Sequence, residues 1–302
     1  MNYRITGTGS CIPDITKKNS DFLENKFLDT DGGKFQTSNS EIIDKFNSIT
    51  GIYERRYAPD EINCSDLAAV AAGLAINDSK LDQETLDYII VAHNTGDISC
   101  SSGQVDTLPS VASKVKAKLK IKNPNCVAYD IICGCPGWVE GIIQAKSFIK
   151  SGMAEKCLVI GCDTLSRILD ENDRDSMIYA DGSGAIILES DNSYNGGILS
   201  HKSATFTYDG ENDFIFYGAS YDIKKRTKSD QKFIKMQGRK VYEFALKNVP
   251  LAMKSCFDEA DCKIQDLKKI FIHQANQKMD EAIINRFFRL YKLSAPKDIL
   301  PM

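Results

Sequence analysis

A repeated order of elements constrains this chain more than any single motif. Near residue 66 an amphipathic helical pattern (Leu67, Val70, Ala71, Leu74) leads through an acidic turn into LDYIIVAHN, residues 86–94. Near residue 240 a second pattern (Val241, Phe244, Ala245, Ala252) leads through another acidic turn into LKKIFIHQA, residues 267–275. Leu86 answers Leu267, and Ala92 falls opposite His273. Identity between the copies is low, but the shared order predicts a duplicated α/β unit. We therefore expect an N-terminal half over residues 1–190 and a C-terminal half over 191–302. Pro250 inside the second helical stretch predicts a kink. The link at roughly 206–236, with KKRTKSDQKFIK, reads as a surface loop or hairpin excursion.

Apolar, β-branched runs predict strands at Tyr88–Val91, Cys126–Ile131, Lys156–Gly161, Ala185–Leu188 and Ile270–Ile272. Between two of them, Pro136–Gly152 predicts a helix opened by proline and closed by glycine. Its apolar residues Trp138, Ile142, Ala145 and Ile149, widened by Val139 and Ile143, predict a largely buried helix. Strands alternating with helices give the α/β class. The net charge of −3 supplies no global basic field for nucleic acid or an anionic membrane. The N-terminus lacks a signal-peptide pattern, and no apolar run reaches the ~18–20 residues of a membrane-spanning helix. The expected location is the cytoplasm, which predicts that the ten cysteines are reduced.

YDIICGCPGW, residues 129–138, concentrates the chemistry. Cys133 and Cys135 lack the two-residue spacer of zinc and dithiol motifs, and no second pair with ligand spacing follows. What remains is a packed thiol or a nucleophile. Cys135, between Gly134 and Pro136-Gly137, stands at the first turn of the predicted helix, where free N–H groups and the helix dipole stabilise a thiolate. Cys133, at the strand end, reads as packed. A thiolate nucleophile needs an imidazole, and only His93, His201 and His273 exist. His93 and His273 each follow a predicted strand, so all three stay open. The glycines of ADGSGA precede a strand rather than a phosphate-binding helix, which predicts a tight structural turn.

GTGSCIP (7–13), the cysteine turn, FIKSG (148–152), LSRILDENDRDS (165–176), ADGSGAIIL (180–188) and HQAN (273–276) occur in one order that resembles β-ketoacyl-acyl-carrier-protein synthase III of the thiolase superfamily. The resemblance implies a thiolase-like fold of two pseudo-repeated α/β halves and a homodimer. It implies acylation of Cys135 by a thioester, then decarboxylative condensation with a malonyl-thioester, with His273 stabilising the enolate. No metal or redox cofactor is implied; the substrates are thioesters of coenzyme A or acyl carrier protein. Leu108 stands where short-chain members carry a bulky aromatic that lines the partner's acyl tunnel, which implies a deeper tunnel. Lys45 and Ile49 stand at the positions of the family's Trp and Arg that grip coenzyme A, leaving Arg174 to meet a phosphate and favouring an acyl carrier protein as donor. Gln274, Ala275, Asn276, Gln277 and Lys278, with Arg239 and Lys240, would form its docking face; a solvated surface is the other reading of these lysines. NTGDISCSSGQVD and CGCPGW also resemble ketosynthases of dialkylresorcinol and aryl-polyene pigment pathways.

The second copy, starting near Gly238, reaches Met302 before a counterpart of the Cys135 strand and helix. The family's GNTS asparagine and a glycine-rich oxyanion loop would lie there. We therefore expect the second half to be incomplete, and the chain to acylate Cys135 slowly without useful condensation unless a partner completes it. Three functions follow: a Cys–His ketosynthase, a non-condensing thiolase-fold subunit, and a redox-sensing pair of Cys133 and Cys135.

Overall fold

A computed structural model describes residues 2–227 and 229–301; Lys228, in the basic link, lies outside the described residues. The chain divides into two compact units. The first comprises Met1–Lys17, Arg55–Arg167 and Tyr179–Leu199, the second Lys18–Glu54, Ile168–Ile178 and Ser200–Met302. Two insertions from the N-terminal portion thus cluster with the C-terminal one, where the sequence suggests a single division at 190.

The first unit is built on five strands: β1 (Tyr3–Cys11), β2 (Tyr88–His93), β3 (Val127–Ile132), β4 (Lys156–Thr164) and β5 (Asp181–Ser190). Their order across the sheet is β1-β5-β4-β2-β3. β4, β2 and β3 run parallel, and β5 is antiparallel to both β4 and β1. Both faces of the central strands are covered, which is why they read as unbroken apolar runs. Ile89, Val91, Leu158, Ile160 and Ile187 pack beneath the helix Cys64–Ser79. The alternate residues Ile90, Val159, Ile186 and Leu188 pack beneath the helix Gly137–Ser151.

The helix Cys64–Ser79 is rotated from the stripe its sequence suggests. Val70 and Leu74 are exposed, while Ala68, Ala71, Ala72 and Ala75 are fully buried. The reason is a close approach to β1. A Cβ at Gly9 would fall 2.2 Å from the Ala71 carbonyl, and one at Gly7 equally close to that of Ala75. Only small residues on both surfaces permit that spacing. ADGSGA differs too: it is not a turn but the start of β5, Gly182 and Gly184 lying opposite Asp163 and Gly161. Neighbouring strands on both sides outweigh the turn preference of glycine.

In the second unit the link is the expected hairpin, β6 (Ile215–Ala219) against β7 (Lys232–Met236). Three longer helices accompany it: Asn39–Thr50, Gly238–Glu259 with Pro250 inside, and Gln277–Arg289. Phe287, Phe288, Ile284 and Ile299 form a core with Met253 and Phe257. The repeated order survives as far as its turns, since the short 3-10 turns Gln83–Thr85 and Ile264–Asp266 each follow the long helix of their copy. After them the copies diverge. Ile270–Ile272, expected as a strand, is not one. Its sole recorded backbone bond there is from the Ile270 N–H to the Ile299 carbonyl, and Phe271 is exposed. A strand exists only through neighbours, and β2 has two while this segment has none among the described residues. No helix among the described residues is long and apolar enough to cross a membrane.

Gly9→Ala should destabilise the protein by about 1–3 kcal/mol, the range for overpacking, because its methyl meets a backbone carbonyl that cannot swing away. Urea unfolding followed by far-UV circular dichroism reads this; a loss below ~0.5 kcal/mol would contradict the contact.

Candidate active site

The cysteine turn follows directly from the sheet. β3 ends at Ile132, Gly134 takes a left-handed φ of 63°, and Pro136 opens the helix Gly137–Ser151. A side chain at Gly134 would pay the left-handed penalty, so glycine sets the reversal that presents Cys135. Two further glycines seat the helix. A Cβ at Gly137 would lie 3.0 Å from the Ala92 methyl, and one at Gly141 2.8 Å from Val159. Because β2 pairs in parallel with β3 and β4, His93 lies opposite Ile132, and Ala92 opposite Gly161. The C-terminal ends of the three strands therefore gather His93, Asn94, the cysteine turn and Asp163, the place where α/β proteins assemble sites.

The structure corrects two sequence expectations here. Cys133 is exposed rather than packed. Cys135 is also exposed, yet partial burial and the Asp163 carboxylate push its thiol above the ordinary cysteine range, outweighing its backbone hydrogen bond, which acts the other way. The helix start alone does not make a resting thiolate. Asp163 is nearly enclosed; it accepts hydrogen bonds from Asn94 N at 2.8 Å and Asn94 Nδ2 at 2.6 Å, and burial pushes its carboxyl up to about 6.

The histidines separate. His93 is buried, with Nε2 3.1 Å from Asp130 Oδ2. Burial works against the Asp130 charge, but that ring and the N–H groups of Val111 and Ala112, at 2.7 and 2.8 Å, hold it below the usual carboxylate range. His93 is thus anchored inside the sheet. His201 is exposed and outside any strand. His273, in the second unit, precedes Asn276, whose Oδ1 accepts from Met279 N at 3.0 Å and caps the helix Gln277–Arg289. His273 keeps a solvent-facing surface, yet burial holds its imidazole below the ordinary histidine range, so it is neutral near pH 7.

The second unit also contains a cavity of about 640 Å³ that brings Arg174, Arg239, Ala275 and Asn276 together with Lys45 and Ile49. Arg174 lies 4.7 Å over the Phe35 ring. Gln274 and Gln277 line a different cavity, beside Asp280. Lys240 sits 5.6 Å over Phe214, and Lys278 is exposed. Leu108, in the first unit, is 87% exposed. Sequence reading missed a buried ion cluster in the second unit. Lys235, 1% exposed, bonds Asp170 at 2.7 Å and Asp173 at 3.2 Å, with Tyr221 3.5 Å away. In KFIKM it looks like one more exposed hairpin lysine; the acid-rich DENDRD was the available signal. No group of three or more metal-ligating side chains stands together among the described residues.

The fold is an α/β sheet covered on both faces with a cysteine turn at the C-terminal ends of its parallel strands, and comparison with known proteins makes the class specific. Residues 129–206 match the model of the family 3-oxoacyl-[acyl-carrier-protein (ACP)] synthase III. The β-ketoacyl-[acyl-carrier-protein] synthase III of Porphyra purpurea is 32% identical over 298 residues, covering 95% of this chain and 81% of the relative. That of Neisseria gonorrhoeae is 34% identical, covering 93% and 80%. The solved 3-oxoacyl-[acyl-carrier-protein] synthase III of Aquifex aeolicus superposes with a TM-score of 0.72 at 28% identity, covering 99% of this chain and 83% of its own. The enzyme of Pseudomonas aeruginosa gives 0.77 at 24% identity, covering 100% and 83%. The chain belongs to the β-ketoacyl-[acyl-carrier-protein] synthase III family, acyltransferase-type condensing enzymes with a thiolase-like fold.

Lys235→Met should cost about 3–5 kcal/mol, as removal of one partner from a buried ion cluster does. In the wild type, burial opposes the Asp170 charge but Lys235 holds its carboxyl low, so that stabilisation is present at neutral pH and lost as pH falls through the depressed value. Without Lys235 the penalty is relieved by protonation, so the two proteins should approach each other in stability in acid. Denaturant midpoints across pH read this, and a constant gap would refute it.

Proposed function

We propose that the protein condenses an acyl thioester with a malonyl-thioester through Cys135 and His273. The observation that carries this reading is the placement of Cys135 at the first turn of a helix seated on a parallel sheet, within a chain of the synthase III family. Cys135 sulfur, once deprotonated, attacks the acyl carbonyl. The donor leaves as a free thiol and the acyl group stays on Cys135. The malonyl-thioester then loses carbon dioxide, its enolate carbon attacks the acyl carbonyl, and Cys135 departs as thiolate, giving a β-ketoacyl-thioester. His273, neutral near pH 7, donates an N–H to the enolate oxygen as charge develops. No group beyond the two thioesters is needed for this balance.

The donor we propose is acyl carrier protein. Lys45 and Ile49 stand in the 640 Å³ cavity without the Trp and Arg expected for gripping coenzyme A, while Arg174 and Arg239 offer cations to a phosphopantetheine arm. Lys240 and Lys278 would extend that basic face beside Gln274, Ala275, Asn276 and Gln277. The working form proposed is a homodimer in which Leu108 lines the partner's acyl tunnel.

Mass spectrometry of intact protein with acyl thioesters, coupled to product and carbon dioxide assays with malonyl donors, tests this. Cys135→Ala should abolish the acyl adduct and Cys133→Ala retain most of it; the reverse pattern would overturn the assignment. His273→Ala should keep the adduct but lower condensation by about 10²–10³, the usual cost of one oxyanion donor. An adduct on wild-type Cys135 with no carbon dioxide release would instead mark a non-condensing acyltransferase.

Leu108→Phe should shift donor preference toward shorter chains, by roughly tenfold or less per methylene, because one methylene is worth about 1 kcal/mol in an apolar pocket. Competition between acetyl and octanoyl donors reads the shift; an unchanged ratio removes Leu108 from the tunnel.

A further inference from the structure

Asp163 has no part in the chemistry above, yet the fold places it on that chemistry's doorstep. It is the last but one residue of β4, beside β2, and the turn carrying Cys135 follows β3 on the far side of β2. Asn94, directly after β2, spans the gap. Its backbone N–H and side-chain amide clamp both Asp163 oxygens, at 2.8 and 2.6 Å. Its own Oδ1 faces Gly134, where an added Cβ would lie 3.6 Å away. Among the described residues no lysine or arginine is recorded pairing with this carboxylate, and His93 supplies the one nearby group that lowers it by charge. The titratable groups facing it are His93 on β2, Asp181 on β5, Cys64 on the helix across the sheet, and Cys135 at the turn.

We propose that Asp163, clamped by Asn94, is a positioning residue whose negative charge keeps the Cys135 sulfur in its thiol form and so governs when the nucleophile is released. It acts through the field at the cysteine turn. Nearby like charge raises the cost of a second anion, so ionised Asp163 suppresses the thiolate and protonated Asp163 lets it form, the proton passing to solvent. A protonated resting sulfur resists alkylation and oxidation. The proposal rests on Cys135 as nucleophile, but its test needs no turnover: failed condensation with the profiles below intact would count against the proposed function alone.

The experiment is iodoacetamide alkylation of Cys135, followed by peptide mapping across pH on the full chain. In the wild type the logarithm of rate should rise with pH, flatten near 6 as Asp163 ionises, then rise again. Asp163→Asn should give one unbroken rise that meets the wild-type curve in acid, at about pH 5, and exceeds it by roughly fivefold or more by about pH 7.5, a charge effect of ordinary size. Asn94→Ala removes a hydrogen bond that favours the ionised acid, so its flat region should move to higher pH. That second variant decides the matter should Asp163→Asn fail to fold. Curves parallel to the wild type at every pH, whether faster, slower or equal, would overturn the proposal.

Discussion

Close approach between helices and sheet, bought with small side chains, is the constraint from which the rest of the first unit follows. On one face Gly7 and Gly9 admit the alanine side of Cys64–Ser79 to contact distance. On the other, Gly137 and Gly141 let a second helix settle on Ala92 and Val159. The second contact matters for chemistry. A helix whose first residue has no room for a side chain against Ala92 leaves four residues, 133–136, to turn the chain, and Gly134 among them is left-handed. Backbone geometry therefore sets where Cys135 stands at the sheet edge.

Charge is handled differently in the two units. In the second, two buried carboxylates share one buried lysine, so loss of the lysine would leave both without their cation. In the first, Asp130 is satisfied by a histidine and two helix N–H groups and sits low. Asp170, tied to Lys235, also sits low, whereas burial keeps its neighbour Asp173 high. Asp163 has amide donors but, among the described residues, no recorded lysine or arginine partner. Asp163, which burial pushes up to about 6, is the acid able to change charge near the cysteine turn.

Much of the first unit was legible because its signals are local. Strands buried on both faces appear as continuous β-branched runs, and the helix after the cysteine turn announced itself by Pro136 and Gly152, the latter taking a φ of 78°. The six ordered motifs carried the family, which the comparisons then bore out across most of the chain. Failures came where a neighbour decides. Val70 and Leu74 look like a core stripe until glycines in a strand some sixty residues away make alanines the better surface. ADGSGA looks like a turn until two strands flank it. Ile270–Ile272 has strand composition but no strand beside it among the described residues.

By itself, then, the sequence determined the α/β class, the cysteine turn and the family, because glycine, proline and apolar periodicity act over a few residues. Tertiary structure decided which histidine is locked away, since His93 and His273 carry the same strand-end signature in the sequence, yet His93 is buried on a strand against Asp130 and His273 is exposed. It decided the charge state around Cys135 as well. A pKa depends on the burial and fields of groups distant along the chain, and neither Asp163 nor the Lys235 cluster could be placed until the strands that carry them were paired.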